Sequence, residues 1–502
     1  MSSAASSAKR IHSAYNPAQE AERYARQSLP SYNPLFIVLS EPGESWLACE
    51  YRKLVPDATL IVLRYTNDMF LDSDALWDYV WRPSHPVSTH VFLQSLIPEE
   101  MLSATLFLPW KPADALWPRE SSMVWAEIAG FIKLQQSQLQ TRGIFGRAWF
   151  RNMLKNALHI ETIVDSTLSN RDVFLAAAGP SLEKSFAAYA DSLYLCSTAS
   201  ALSFFSYNKK IPDMCISTDA GYWAREHFQD LPAATILAIP LEAAVPASTL
   251  ERNPVMVLNF GTSLENSIIR SSGFISKPAE RNGTVMGTAA SFLLRQTEGS
   301  VYAAGLDLST GLSFSHARPH ASDSRSRQSS RVNPFSTYLY ERNRASFSLE
   351  AYASWFSSRN ESFKKRFKRL RPCPFDIPGI ASVEAPLPRE AEYCANRNSI
   401  SYIPVLSKSQ RASNMRELLD SMKNQLMTIG DPINITEIMF SNQIDDEYRS
   451  LVEAIEFSSF GEYLRLIKES RARDSSRYHE TAASMVRRTI TEIDSLSARL
   501  LV

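Results

Sequence analysis

Four short stretches of this chain set residue types that handle phosphates and hydroxyls beside one another. Gly179-Pro180-Ser181-Leu182 follows the apolar run Val173-Phe-Leu-Ala-Ala-Ala178. A strand that feeds a glycine turn and then a helix leaves backbone N–H groups at the strand's C-terminal end, where α/β proteins hold anions. Gly179 permits close backbone approach, Pro180 stiffens the turn, and Ser181 can cap the helix or bond an anion. Downstream, Ser217 and Asp219 close the apolar run after Pro212-Asp213. A carboxylate there can bind a ribose hydroxyl, hold magnesium or act as a base. Gly283 and Thr284 open the helical stretch at 286, with N–H groups that could meet a phosphate or a carboxylate. Asp307 ends a fourth apolar run, and His316 follows in a polar loop, where a histidine can act as general base toward a hydroxyl. Each stretch also has a plainer reading, as a β-to-α turn, an Asp turn, a helix start and a solvated loop histidine.

The elements that must position these residues are those of an α/β chain. Buried strands are predicted at 35–39, 59–63, 172–177, 192–196, 213–218, 235–239, 255–259 and 300–304, with helices between them. The helix at 286–296 lines Met286, Ala289, Ala290, Leu293 and Leu294 on one face. A short helix capped by Asn16, with Pro17 in its first turn, lies in an otherwise mobile tail. The order of elements from 34 to 63 is a Rossmann-like half, but its turn, Ser40-Glu-Pro-Gly-Glu44, has one glycine and two carboxylates that would repel a pyrophosphate. Two helices are predicted between 121 and 159, broken at Arg142-Gly143. Further helix is expected from Tyr338 to Lys368, then a Pro-rich strand and turn to Pro388. The last hundred residues read as helical, with Arg411–Met427 closed by Gly430-Asp-Pro. A final stripe of Met485, Val486, Ile490, Ile493, Leu496 and Leu500 is most simply a packing face.

Composition sets the outer bounds. At 502 residues, two to four domains are expected. Lys plus Arg and Asp plus Glu both number 53, so no global field draws the chain to nucleic acid or an anionic membrane. Its longest apolar candidate, 233–247, is broken by Pro240, Glu242 and Pro246 and falls short of the ~18 residues of a membrane span. The N-terminus lacks the apolar core of a secretory signal. Five scattered cysteines form no C-x-x-C pair, which points to free thiols in a reducing cytoplasm rather than disulfides or zinc.

Taken in order, Ala178-Gly-Pro-Ser-Leu182, Pro212-Asp213 with Ser217-Thr-Asp219, Gly283-Thr-Val285 and Gly305-Leu-Asp-Leu308 with Ser315-His-Ala317 resemble the motility-associated factor family of bacterial flagellin glycosyltransferases. That family shares its domain with archaeal 6-hydroxymethylpterin diphosphokinase-like proteins. Trp149-Phe-Arg-Asn-Met-Leu-Lys-Asn156 is similar to its bridging helix. The resemblance implies a Rossmann-like central domain similar to bacterial sialyltransferases, a degenerate Rossmann-like N-terminal domain and a helical C-terminal domain. The expected division is a mobile tail at 1–33, the degenerate domain at 34–120, a helical bridge at 121–160, the glycosyltransferase-like domain at 161–390 and helices at 391–502. It further implies transfer of a pseudaminic- or legionaminic-type nonulosonic acid from a CMP-activated donor to a Ser or Thr of flagellin. Gly179, Pro180, Ser181, Leu182, Ser217, Gly283, Thr284 and Asp307 would then bind the donor, and His316 and Asp219 would be catalytic. Two departures stand out: Ser197-Thr-Ala-Ser200 replaces a more usual Asn-Ser pair, and Asp219-Ala-Gly replaces Asp-Pro. A magnesium-dependent pterin diphosphokinase and a non-catalytic flagellin-binding assembly factor are the alternatives. Magnesium itself would require Asp219 and Asp307 to meet.

Overall fold

The computed structural model of the chain describes residues 10–308, 316–323, 347–386, 399–428, 445–470 and 477–500. Ser315, Cys394, the Gly430-Asp-Pro stop and residues 324–333 lie outside them. The chain divides into two compact units, and both are discontinuous in sequence. The first takes residues 1–146, 426–442 and 455–491, and the second takes 147–425, 443–454 and 492–502. The helical bridge and the C-terminal helical region are thus not separate bodies; each is shared out between the two units.

In the first unit, four parallel strands lie in the order β3-β2-β1-β4: β1 (Phe36–Ser40), β2 (Thr59–Leu63), β3 (Tyr79–Trp81) and β4 (Thr105–Pro109). Branched runs such as Phe-Ile-Val-Leu suit a strand covered on both faces, and Ile37, Val38 and Leu39 are all buried. The turn after β1 is filled by Glu41, which is fully buried. Its carboxylate accepts from Arg64 at 2.9 Å and from the Tyr65 N–H at 2.8 Å. A structural ion pair therefore stands where a Rossmann half would hold pyrophosphate. Residues expected in a mobile tail are packed: helix Pro17–Ser28 is capped by Asn16, buries Ala21 and Ala25, and Trp110 Nε1 donates to the Ile11 carbonyl at 2.9 Å.

Helix Pro118–His159 is continuous where a break at Arg142-Gly143 was expected. Gly143 and Gly146 face the rings of Phe460 and Phe457, and a Cβ on Gly143 would lie 3.0 Å from Phe460. These glycines allow close packing of two helices and do not end one.

The second unit is built on an 11-stranded sheet, of which one path runs β14-β13-β12-β6-β7-β8-β9-β10-β5-β15, with β11 on β10. Its strands are β5 (Ile163–Thr167), β6 (Val173–Ala176), β7 (Tyr194–Thr198), β8 (Met214–Ile216), β9 (Ile236–Pro240) and β10 (Val255–Asn259). These are followed by β11 (Lys277–Pro278), β12 (Val301–Ala304), β13 (Phe367–Leu370), β14 (Ala381–Val383) and β15 (Ser399–Ile403). Every pairing is parallel except β15 with β5. The period-2 alternation of a strand sorts side chains into two cores. Val173, Leu175, Cys196 and Met214 enter one, with helix Val285–Gln296; Phe174, Ala176, Leu195 and Tyr302 enter the other.

Other elements also depart from expectation. Helices Phe347–Ser357 and Glu361–Arg366 replace one long helix, and Phe367 and Lys368 begin β13. The C-terminal region also contains a strand, β15. Strand order reverses at β6. The chain runs outward from β6 through β7, β8 and β9 to β10, then returns to lay β12 on the opposite side. A crevice opens at the carboxyl ends of strands at such a point, and α/β proteins bind ligands there.

Candidate functional site

The ends of β6 and β12 carry Gly179-Pro180-Ser181 and Gly305-Leu306-Asp307. The two segments cross closely. Gly179 N–H donates to the Gly305 carbonyl at 3.0 Å, and a Cβ on Gly179 would sit 2.3 Å from that oxygen and 2.7 Å from Asp307 Cγ. Gly305 has a φ of +69°, and its Cβ would lie 2.3 Å from the Ala177 carbonyl, so only glycine fits either place. Ser181 donates its N–H to Asp307 Oδ2 at 2.9 Å and its hydroxyl to Oδ1. Burial pushes the Asp307 carboxyl up, while Ser181 and then the fully buried Arg369 draw it back. Arg369 in turn donates to the Leu306 carbonyl at 2.7 Å.

The turn expected to present free N–H groups has committed them internally. Leu182 N–H donates to the Gly179 carbonyl at 3.0 Å, Pro180 has none, and the other two are accounted for above. The Ser181 hydroxyl does bond an anion, but that anion is the protein's own Asp307, and the helix Leu182–Ser185 has no side-chain cap. Leu182 is a core residue. As placed, the turn locks Asp307 and leaves a bound anion to be met by other donors at this edge.

At the end of β8, Ser217 is buried and donates its N–H to the Ala238 carbonyl at 3.2 Å. Asp219 is exposed. One of its oxygens closes a turn by accepting the Gly221 N–H at 2.7 Å, and its carbonyl accepts the Ala244 N–H at 2.8 Å. The Gly283-Thr284 entry is a helix start, in which Gly283 has a φ of +79° and Thr284 caps Val285–Gln296 by accepting the Gly287 N–H at 2.9 Å. Both oxygens of Asp307 accept from Ser181, and Asp219 lies at the end of a different strand. Among the described residues no three His, Cys, Asp or Glu side chains are grouped to hold a metal.

His316 begins a segment that runs back over the glycine turn: Ala317 N–H donates to the Ala178 carbonyl at 2.8 Å, and Arg318 N–H to Glu183 at 2.9 Å. Its ring stacks on His320 with centroids 4.0 Å apart, and His320 meets His227 at 5.1 Å. His227 belongs to the 3₁₀ helix Tyr222–Asp230 that follows Asp219. The folded chain therefore gathers His316 with two histidines that reading along the sequence did not single out.

The loop after β9 adds residues that were also missed. The last turns of Pro118–His159 clamp it: Asn152 donates to the Glu242 carbonyl at 3.0 Å, Asn156 to Leu241 at 2.8 Å and Ala243 at 2.7 Å, and Lys155 to Val245 at 2.5 Å. The i, i+3, i+4 spacing of Asn152, Lys155 and Asn156 near the end of that helix was the available signal. Glu242 is buried and paired with Arg281 at 2.6 Å, and that guanidinium lies over Trp149 and Phe260, 4.8 Å from each ring. Glu265 accepts the Phe260 N–H at 2.8 Å, and burial, followed by the neighbouring Glu242, pushes its carboxyl up to about 8.

No family profile matches the chain. A curated protein of Treponema pallidum (strain Nichols), described as uncharacterized, is 38% identical over 283 residues. That stretch is 56% of this chain and 64% of the relative, so the match spans less than two thirds of the relative's own length. Among solved structures, the MAf glycosyltransferase from Magnetospirillum magneticum AMB-1 superposes over 97% of this chain and 88% of its own, with a TM-score of 0.53 and 10% identity. At that identity what is shared is the fold, an α/β architecture with parallel sheets and a helical C-terminal region, similar to that of a MAf glycosyltransferase.

Proposed function

We propose that the chain is a glycosyltransferase that moves a pseudaminic- or legionaminic-type nonulosonic acid from a CMP-activated donor to a Ser or Thr hydroxyl of flagellin, in the cytoplasm before export. The observation that carries this reading is the placement of the Gly179–Ser181 turn and Asp307 at the point of strand reversal, in a chain with the MAf glycosyltransferase fold. Gly179 and Gly305 let two backbones meet there, and Ser181 bonds Asp307 across the junction; on this reading Ser217 and Thr284 would add donor contacts. The bond from the anomeric carbon to the CMP phosphate oxygen breaks, and CMP leaves with the electron pair. The acceptor oxygen bonds to the anomeric carbon, and its proton passes to His316 or Asp219. Charge developing in an oxocarbenium-like transition state makes fixed dipoles more useful than a covalent nucleophile.

Among the described residues no helix is long and apolar enough to cross a membrane. The test combines melting curves with CMP, ATP plus magnesium, and GTP with the mass of flagellin co-expressed with the enzyme and the sugar pathway. A ligand at 100 times its Kd raises stability by about 2.7 kcal/mol. A shift with CMP and a gain of one sugar mass per site support the reading. A shift with ATP plus magnesium alone replaces it with a diphosphotransferase. Flagellin binding without a mass change, unaffected by loss of the Asp219, Asp307 and His316 side chains, replaces it with an assembly factor. His316→Ala or Asp219→Asn, whichever removes the base, slows transfer by about 10²–10⁴-fold.

A further inference from the structure

The turn at β6 has given away its N–H groups, so positive charge for an anionic substrate must come from elsewhere along the same edge. Three cations lie within electrostatic reach of one another there. Lys155 reaches from the end of helix Pro118–His159 to the Val245 carbonyl, in the loop that also bonds Asp219 through Ala244. Arg151 lies one helical turn before Lys155, on the same face. Arg225 projects from the 3₁₀ helix after Asp219; it lies over Tyr222 at 5.6 Å, and its Nε is shielded from water with no hydrogen-bond partner among the described residues. Burial is the first cause that lowers the Lys155 ammonium, to about 8, and the charges that then act on it, Arg225 and Arg151, are both positive. Like charges held together and partly dried cost stability, and an anion among them recovers it.

We infer that Arg151, Lys155 and Arg225 form an oxyanion subsite that takes a phosphate or carboxylate group of the substrate beside Asp219. The assignment of substrate rests on the glycosyltransferase reading, in which the donor carries both groups: the phosphate of CMP and the carboxylate of the sugar acid. A guanidinium with an unused N–H edge suits either, since both present two oxygens to a planar donor.

The test is isothermal titration of the full chain with CMP, inorganic phosphate and N-acetylneuraminate, in the wild type and in Lys155→Gln and Arg225→Gln, with melting temperatures of each protein alone. Lys155→Gln keeps a donor for the Val245 carbonyl. The expected result is a tenfold or greater loss of affinity in both variants, with a melting temperature equal to or above that of the wild type. Loss confined to CMP and phosphate assigns the subsite to phosphate; loss confined to N-acetylneuraminate assigns it to carboxylate. Phosphate binding that the variants abolish, without any binding of CMP or the sugar acid, keeps the subsite and discards the glycosyltransferase reading. Wild-type affinities in both folded variants, or no binding of any probe to the wild type, overturn the subsite and leave that reading to its own test. A variant that melts below the wild type also overturns it, because the cations would then be holding the fold.

Discussion

Ser181 and Asp307 show how closely the proposed site and the fold are joined. Asp307→Ala strands the Ser181 N–H in a buried place and removes a counter-charge from Arg369, so a loss of about 2–4 kcal/mol is expected in urea unfolding. Asp307→Asn, which keeps an acceptor, should cost less. Glu265 makes a second prediction, read in pH. Its folded pKa of about 8 lies above the ordinary 4.5, so the folded state binds a proton that the unfolded chain has released between those values. Stability from this group is therefore greatest below pH 4.5 and is lost as pH rises to 8. Glu265→Gln can still accept the Phe260 N–H and should stabilise the protein more at pH 8 than at pH 5, in paired denaturant titrations. The sequence made the Gly-Pro-Ser turn and Asp307 legible because glycine, proline and a terminal acid stand out against apolar runs. It did not reveal Glu242, Glu265 or Lys155. A charge inside a mixed stretch looks like any surface charge until its partner is known, and the Val245 carbonyl lies 90 residues from Lys155.

At the scale of elements, Gly305→Ala should not be tolerated. A left-handed backbone and a 2.3 Å approach to the Ala177 carbonyl would part β12 from β6, to be seen as loss of soluble expression. Arg366 closes helix Val285–Gln296 by donating to the carbonyls of Leu294 at 3.0 Å, Thr297 and Gly299 at 2.9 Å. Arg366→Ala is expected to cost about 1–3 kcal/mol by the same denaturant measurement. Strands rich in branched residues and buried on both faces, such as β2, β9 and β10, were found to within about a residue of their ends. The strands missed were β3, β4, β5, β11, β13 and β15; in β5, β13 and β15, Asp165, Lys368 or Ser401 interrupts the apolar run. Edge and near-edge strands need less burial, so their sequences carry a weaker signal. Gly143 misled for the opposite reason, since glycine marks both helix ends and helix contacts.

At the scale of the molecule, balanced charge has a practical consequence. With a formal net charge of zero at pH 7, self-association at low salt should be greatest near neutrality and fall by pH 8.5, which static light scattering would register. Each unit draws on distant stretches of chain. In the first, Arg142 pairs with Glu456 at 2.7 Å. In the second, Glu453 accepts the N–H groups of Ser263 and Leu264 at 3.0 and 2.8 Å, at the start of helix Ser263–Ser272. Ribosomes deliver a chain from one end only. Because both units reclaim residues beyond 440, neither can be finished while the other waits, and a premature stop near residue 445 leaves two incomplete bodies rather than one whole and one missing. Nascent chains should depend on chaperones until the stretches beyond residue 440 emerge, and pulse-chase proteolysis should show both units becoming resistant together.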